Sequence, residues 1–590
     1  MLNPTFTTPP SQTTRPDLAG TFGMAASTDW LTTAAAQSVL ERGGNAFDAV
    51  VAGAFVLHVV EPFQCGAGGD MVGVFATADD PGRPQILMGQ GPAPAGATIA
   101  HYRDEEGLEL VPGAGALAAA IPGAVDAWLL LLRDHGTWPL ADVLAYAIGY
   151  ARDGHPVLAA TAGAIAGRAD LFRQHWPTSA ARWMPDGRPP LPGEIVRNPQ
   201  YAAVLQRLAD AAIGPTHAAA IDAARDEWTR ILGPAAEAFC AVPHYHSDGR
   251  DHAGVLTAAD VAGWRASYET PVTIDFRGYS IAKEGAWGQG PVLLQALRLL
   301  DGFDGSRLDP STELGAHTIL EAMKLAFADR DVWYGDCLDD PAVLDYLLSP
   351  AYTDARRGLI GDKASAELRP GSVPGRQTPP LPPLRLEYRT PDGVVRGDTA
   401  HIDVVDRFGN IVSATPSGGW LQSSPTIPEL GFCLGTRLQM TWLDEASSSR
   451  LEPGRRPRTT LTPTLVSRDG QPVMACGTPG GDQQDQIQLL FLLRVLVGGY
   501  TPQQAIDAPA FYTDSVPSSF WPRCWEPGSA TVESRIGCDV LDGLTARGHQ
   551  VDRAGAWSAG QLSAVTRDPA TGVLGAAANP RDAQGYAAGR

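Results

Sequence analysis

Apolar residues at helical spacing alternate along the chain with short β-branched runs bounded by Gly and Pro. From Thr32 the spacing predicts a helix over 31–42 that stops at Gly43-Gly44. Asn45 is placed to cap a second helix, with Asp48 in its first turn and Phe47, Val50, Val51 and Phe55 at helical spacing. Gly66-Ala-Gly-Gly-Asp70 then reads as a turn into a strand over 71–76. Further helices are expected at 122–135, 140–152, 199–212, 291–300 and 314–330. Pro- and Gly-rich stretches at 183–193 and 370–398 mark loops, the second being the strongest linker signal in the chain. Beyond it the pattern changes to hairpins. Runs at 401–406 and 410–415 flank Arg407-Phe408-Gly409, and runs at 464–467 and 472–477 flank Arg468-Asp469-Gly470. A long apolar helix is expected over 482–497. Helices, then hairpins, then helices again predict sheets sandwiched between helical layers. Residues 1–20, polar and rich in Pro and Thr, are expected to form a loose tail.

The 590 residues, 44% hydrophobic and 19% charged, have a globular composition. Lys+Arg 45 against Asp+Glu 65 leaves a net charge of −20, and no Lys/Arg-rich run interrupts it. That balance argues against nucleic acid and anionic membrane as partners. The seven cysteines are far apart with no Cys-x-x-Cys, so neither a disulfide framework nor a structural zinc site is expected. The N-terminus lacks an apolar core of the secretory type, and the apolar run at 49–60 is too short to span a bilayer, which places the chain in the cytoplasm as an expectation.

Two places could carry chemistry. Thr399, in Gly397-Asp398-Thr399-Ala400-His401, stands where the long linker meets the first hairpin. Most Thr residues opening a strand merely suit a β position. A hydroxyl at the end of an accessible linker, however, is what a self-cleaving precursor needs: it attacks the carbonyl before it, and water opens the resulting ester. The new N-terminal Thr then holds nucleophile and base together, because an α-amine has a pKa of about 7.7–8. The second place is Gly477-Thr-Pro-Gly-Gly-Asp482, between a strand and a helix start. It is either a plain turn capped by Asp482 or a pair of N–H donors, at Gly480 and Gly481, for a developing oxyanion.

Gly43-Gly44-Asn45-Ala46-Phe47-Asp48-Ala49-Val50-Val51-Ala52, Gly66-Ala67-Gly68-Gly69-Asp70, Thr399-Ala400-His401 and Gly477-Thr478-Pro479-Gly480-Gly481 occur in that order. Together they resemble the γ-glutamyltransferase family of N-terminal-nucleophile (Ntn) hydrolases, from about residue 20 to the C-terminus. The resemblance implies an α+β fold, the four-layer αββα sandwich, and no cofactor or metal. It implies autocatalytic cleavage between Asp398 and Thr399 into a large subunit, 21–398 after the tail, and a small subunit, 399–590, which share one domain. A dimer of such heterodimers is left open. Thr399 would be the nucleophile and Gly480 and Gly481 the oxyanion hole. Ser417, in Ala414-Thr-Pro-Ser-Gly-Gly419, falls where the family has a hydroxyl that orients the nucleophile, and Thr459-Thr460 where it has two Ser touching the substrate carboxylate.

Departures from the family pattern bear on the substrate. The family's Arg ahead of Ala-Pro-Ala, which holds the α-carboxylate, corresponds here to Gln90, which brings no charge. The acid that reads the α-ammonium corresponds to Met440, Gly419 replaces an Asn, and Arg437, standing where a Gln is usual, is expected to bind an acyl group that bears an anion. The stretch before Thr459 is too short for the family's lid loop. An unpaired ammonium in such a pocket would be costly. The expected substrate is therefore a small-molecule acyl donor whose acyl group is anionic and lacks the glutamyl α-amine. Alternatives are a genuine glutathione hydrolase or γ-glutamyltransferase, a C–C bond hydrolase of an antibiotic pathway releasing an oxalyl group, and a non-catalytic binding homologue.

Weaker signals have plainer readings. His244, His246 and His252 could be imagined as the ligands of a metal hydrolase, yet they lie in a polar loop with few partners. His401 is expected to orient rather than act as base. Gly66–Gly69 has the wrong spacing for a dinucleotide site and reads as close backbone packing near the cleft. Trp420 and Trp442 are pocket or core.

Overall fold

The structure is a computed structural model that describes residues 2–338, 340–386, 398–581 and 584–590. Fourteen strands form two antiparallel sheets: β1 (Leu18–Gly20), β2 (Gly23–Ser27), β3 (Asp70–Ala76), β4 (Gln85–Gly89), β5 (Ser267–Glu269), β6 (Val272–Phe276), β7 (Tyr279–Lys283), β8 (Ile402–Asp406), β9 (Ile411–Ser417), β10 (Thr464–Arg468), β11 (Gln471–Gly477), β12 (Ser563–Arg567), β13 (Leu574–Ala578) and β14 (Tyr586–Gly589). One sheet runs β1-β13-β12-β11-β10-β7-β6 and the other β14-β2-β8-β9-β3-β4-β5.

The strands bury both faces, and their alternation shows how. In β3, Met71 and Phe75 pack with Phe47, Phe55 and Trp128 of helices Ala46–Val60 and Ala124–His135. The intervening Val72, Val74 and Ala76 pack instead with Leu465, Ala475, Val565 and Ala576 of the opposite sheet. In that sheet Val466, Met474, Cys476 and Ala564 face helices Pro291–Asp301, Glu313–Trp333 and Gln484–Leu492. Side chains of period two thus fill one interior between the sheets and one on each outer side, giving the αββα layering expected of the Ntn-hydrolase class. The expected helices and both hairpins are present. Asn45 accepts from Phe47 N and Asp48 N, and the Asp48 carboxylate accepts from Asn45 N, closing the capping box at the start of Ala46–Val60.

Two expectations are corrected. Residues 2–20 are tied down rather than loose: Phe6 is buried in the core, Thr7 donates through N and Oγ1 to Asp309, Thr14 donates to Asp507, and β1 pairs with β13. The helix expected over 482–497 is continuous but not uniformly wound. It comprises a 3-10 turn, Gly481–Gln483, then helix Gln484–Leu492, then a wider π turn, Leu493–Val497. Helical periodicity also fails to disclose His217–Cys240, which carries Pro234 in its interior. Part of the linker expected over 370–398, residues 387–397, lies outside the described residues. Among the described residues, no helix is long and apolar enough to cross a membrane.

The Gly66–Gly69 segment packs backbone against backbone. A Cβ on Gly68 would lie 2.1 Å from Cys433 O, and one on Gly69 would lie 2.1 Å from Ser417 O. Neither site can admit a methyl group without moving a strand end. Gly68→Ala is expected to lower stability by about 3 kcal/mol, seen as a clear drop in thermal unfolding midpoint. Gly187→Ala, where no heavy atom lies within 4 Å of the added Cβ, should pay only the modest strain of its left-handed φ of +75°.

Candidate active site

The site is assembled by the β8–β9 hairpin. At its turn Asp406 accepts from Phe408 N, Gly409 N and Asn410 N at 2.9–3.0 Å, and Gly409 takes φ +105°, a left-handed conformation open to glycine. This turn fixes the register, with Ile402 opposite Ala414. Three residues farther from the turn, the same register sets Thr399 opposite Ser417 as an antiparallel bridge. The Thr399 hydroxyl, 1% exposed, donates to Ser417 Oγ at 3.3 Å. Ser417 Oγ in turn donates to the carbonyl oxygen of Asp398 at 2.8 Å. The Thr399 N–H donates to Asp398 Oδ1 at 2.8 Å. The Thr399 hydroxyl therefore stands beside a carbonyl already polarised by a second hydroxyl.

β11 delivers the other half. It ends at Gly477, and the chain turns through Gly480 and Gly481 at φ +115° and +56°. The turn is pinned where Thr478 Oγ1 accepts from Gln561 N at 3.0 Å. Gly480, Gly481, Asp482, Phe520 and Trp521 line a cavity of about 400 Å³ together with Asp398. Asp482 is fixed by Arg330 and by Ser519, whose N and Oγ donate to it at 2.7 and 2.6 Å. Burial would raise this carboxyl, but Arg330 and the Ser519 donors outweigh it and hold it below the ordinary carboxylate range.

On the adjoining sheet end, Ser417 pairs with Asp70 and Met71 pairs with Gly89, so Gln90 continues from the strand beside Asp70. Arg437 donates through Nε and Nη2 to the two Asp70 oxygens at 2.6 and 2.7 Å, a buried bidentate pair. Asp70 thus balances the charge of Arg437. What remains is Nη1, 3.6 Å from Met440 Sδ. Asp70 is the site residue that motif reasoning overlooked, and its signal was the acid ending Gly66-Ala-Gly-Gly-Asp70. Gln90 is fully buried; its Nε2 donates to Gly91 O at 3.3 Å, and its Oε1 has no hydrogen-bond partner among the described residues. Trp420, Met440 and Phe520 form one apolar cluster, and Trp442 packs with Leu110 and Trp521. Thr459 and Thr460 are both buried. Thr459 N donates to Trp287 O at 3.2 Å, and Thr460 Oγ1 has no hydrogen-bond partner among the described residues.

The histidines have structural partners. His401, fully buried, lies between Thr415 Oγ1 and Asp403 Oδ1, each at 2.9 Å. His246 Nε2 accepts from Leu117 N, and His252 sits between Glu106 and Asp248.

The αββα sandwich, with the Thr399 hydroxyl ahead of β8 and a glycine turn after β11, has the architecture of the Ntn-hydrolase class. The Gamma-glutamyltranspeptidase family model matches residues 32–589, and the chain belongs to that family. It is similar to the solved structure of LmbA2991HD, at 53% identity and a TM-score of 0.94, over 98% of this chain and 100% of that one. The Acylase ACY 1 proenzyme of Pseudomonas sp. (strain SE83) is 30% identical over 95% of this chain and 92% of its own length. The oxamate amidohydrolase proenzyme of Klebsiella pneumoniae is 29% identical over 96% of this chain and 98% of its own. The protein is thus an Ntn-type amidohydrolase of a family whose members are made as acylase and hydrolase proenzymes.

Asp70→Asn should leave the Arg437 guanidinium buried without a counter-charge and cost about 3–5 kcal/mol. Combining it with Arg437→Met should recover much of that loss. Thermal unfolding of the two single variants and the double variant measures the coupling.

Proposed function

We propose that the chain cleaves itself between Asp398 and Thr399 and then works as an acyl hydrolase with Thr399 as N-terminal nucleophile. The observation that carries this reading is the relay from Thr399 Oγ1 through Ser417 Oγ to the Asp398 carbonyl. In the first step Thr399 Oγ bonds to the Asp398 carbonyl carbon, the peptide C–N bond breaks, and the hydroxyl proton passes to the departing nitrogen. Water then opens the ester, leaving a carboxylate on Asp398 and a free amine and hydroxyl on Thr399. In catalysis that amine takes the Oγ proton as the hydroxyl attacks the substrate carbonyl, and the Gly480 and Gly481 N–H groups receive the oxyanion. The acyl-Thr399 ester is then hydrolysed.

The two pieces, large subunit to 398 and small subunit from 399, would remain one body. β8 and β9 lie between β2 and β3, and β7 pairs with β10, so each sheet interleaves strands from both sides of the cut. The acyl group in this reading carries a carboxylate and no α-ammonium. Asp70, the carboxylate beside Ser417, is already engaged by Arg437, and Met440 brings no charge. Similarity to an oxamate amidohydrolase proenzyme supports a short acyl group of this kind.

Thr399→Ala should remain full length and inactive, and Thr399→Ser should still be cut, as read by intact mass. N-oxalyl-4-nitroaniline should be hydrolysed with a kcat/KM at least about a hundredfold above that of the γ-glutamyl anilide. Efficient turnover of the γ-glutamyl compound would overturn the acyl assignment.

A further inference from the structure

Between Asp398 and the end of helix Ala46–Val60 runs a buried polar chain that the chemistry above leaves unused. Glu61, fully buried, accepts from Thr28 Oγ1 at 2.6 Å and from Gln584 Nε2 at 2.9 Å. Thr28 is joined to the nucleophile's strand: its N donates to His401 O, and its Oγ1 accepts from His401 N. Gln64, 2% exposed, places its amide between two carboxyl groups. In one orientation its nitrogen lies 3.5 Å from Asp398 Oδ2. In the other it lies 3.0 and 3.1 Å from the two Glu61 oxygens.

An amide has one donor end and one acceptor end, so it satisfies two facing carboxyl groups only if one of them carries a proton. Burial, then the nearby Asp29 and Asp398, push Glu61 well above the ordinary carboxyl range. Asp29 is itself pushed up to about 6, chiefly by burial. Before the cut, Glu61 is thus the protonated partner, its O–H donating to the Gln64 oxygen, and the Gln64 nitrogen turns to Asp398. The cut alters the far end of the chain. The Asp398 side chain, which accepts from Thr399 N in the intact chain, is released from that nitrogen, and the nitrogen becomes an amine.

We propose that Gln64, oriented by Glu61, is the positioning residue for the Thr399 α-amine of the cleaved protein. The inference rests on the cleavage reading above. After the cut the amide turns over: its nitrogen donates to the carbonyl oxygen of the Glu61 carboxyl, and its oxygen accepts one amine N–H, which aims the amine lone pair at Thr399 Oγ1. The acidic groups set along this path are Asp29, Glu61 and Asp398, with the Cys65 thiol, raised by burial and by Glu61, beside them and the His401 ring two residues beyond the nucleophile.

The test titrates the amine itself and so needs no substrate. Intact mass first establishes the cut in the parent and in Gln64→Glu, Gln64→Met and Glu61→Gln. Competitive acetylation by acetic anhydride across a pH series, read on the Thr399 peptide by mass spectrometry, then gives the amine pKa in each. Gln64→Glu should raise it by about one pH unit by placing a carboxylate at the amine, while Gln64→Met and Glu61→Gln should lower it. Equal values in parent and variants would overturn the proposal. So would Gln64 variants that melt like the parent yet stay uncut, because Gln64 is given its role only after the cut. A parent that is itself uncut would instead overturn the cleavage reading.

Discussion

The register of one hairpin decides where the chemistry can be. The Asp406 turn sets Ile402 against Ala414, and the same count along the two strands leaves Thr399 opposite Ser417. A slip of one residue would turn every side chain of β8 to the other face. It would move Ile402 and Val404 off the helices, and it would take Ser417 away from the Asp398 carbonyl. Packing on both sides of the sheet therefore enforces a geometry that local hydrogen bonds alone would hold weakly, since the single Ser417 hydrogen bond is worth about 1 kcal/mol net.

Around that register the fold spends glycine and charge where the backbones crowd. Gly66, Gly68 and Gly69 let one segment lie directly on Gly419, Cys433 and Ser417, and this closeness sets Asp70 within reach of Arg437. Arg437 is thereby a buried cation neutralised in place.

Much of this architecture was legible in the chain itself. The capped helix at Asn45, the two hairpins and the glycine turn at 480–481 each carry a local signal that survives tertiary packing, and the four ordered motifs indicated the layered sandwich. What could not be read follows from long-range contact. The N-terminal segment looks loose by composition, yet Phe6 and the Asp309 and Asp507 carboxylates, hundreds of residues distant, anchor it. The charge of Arg437 looked available because its partner, Asp70, lies 367 positions away. The role inferred for Gln64 depends likewise on Glu61 and Asp398 meeting at one amide, a coincidence of three dimensions with no sequence spacing behind it.

The account stands most directly on an ester between Thr399 Oγ and the Asp398 carbonyl. Freshly synthesised chain incubated with hydroxylamine should yield a large fragment ending in a hydroxamate at the Asp398 carboxyl, together with a small fragment beginning at Thr399. An intact chain that nonetheless hydrolyses substrate, or fragments whose ends lie at any other bond, would contradict it.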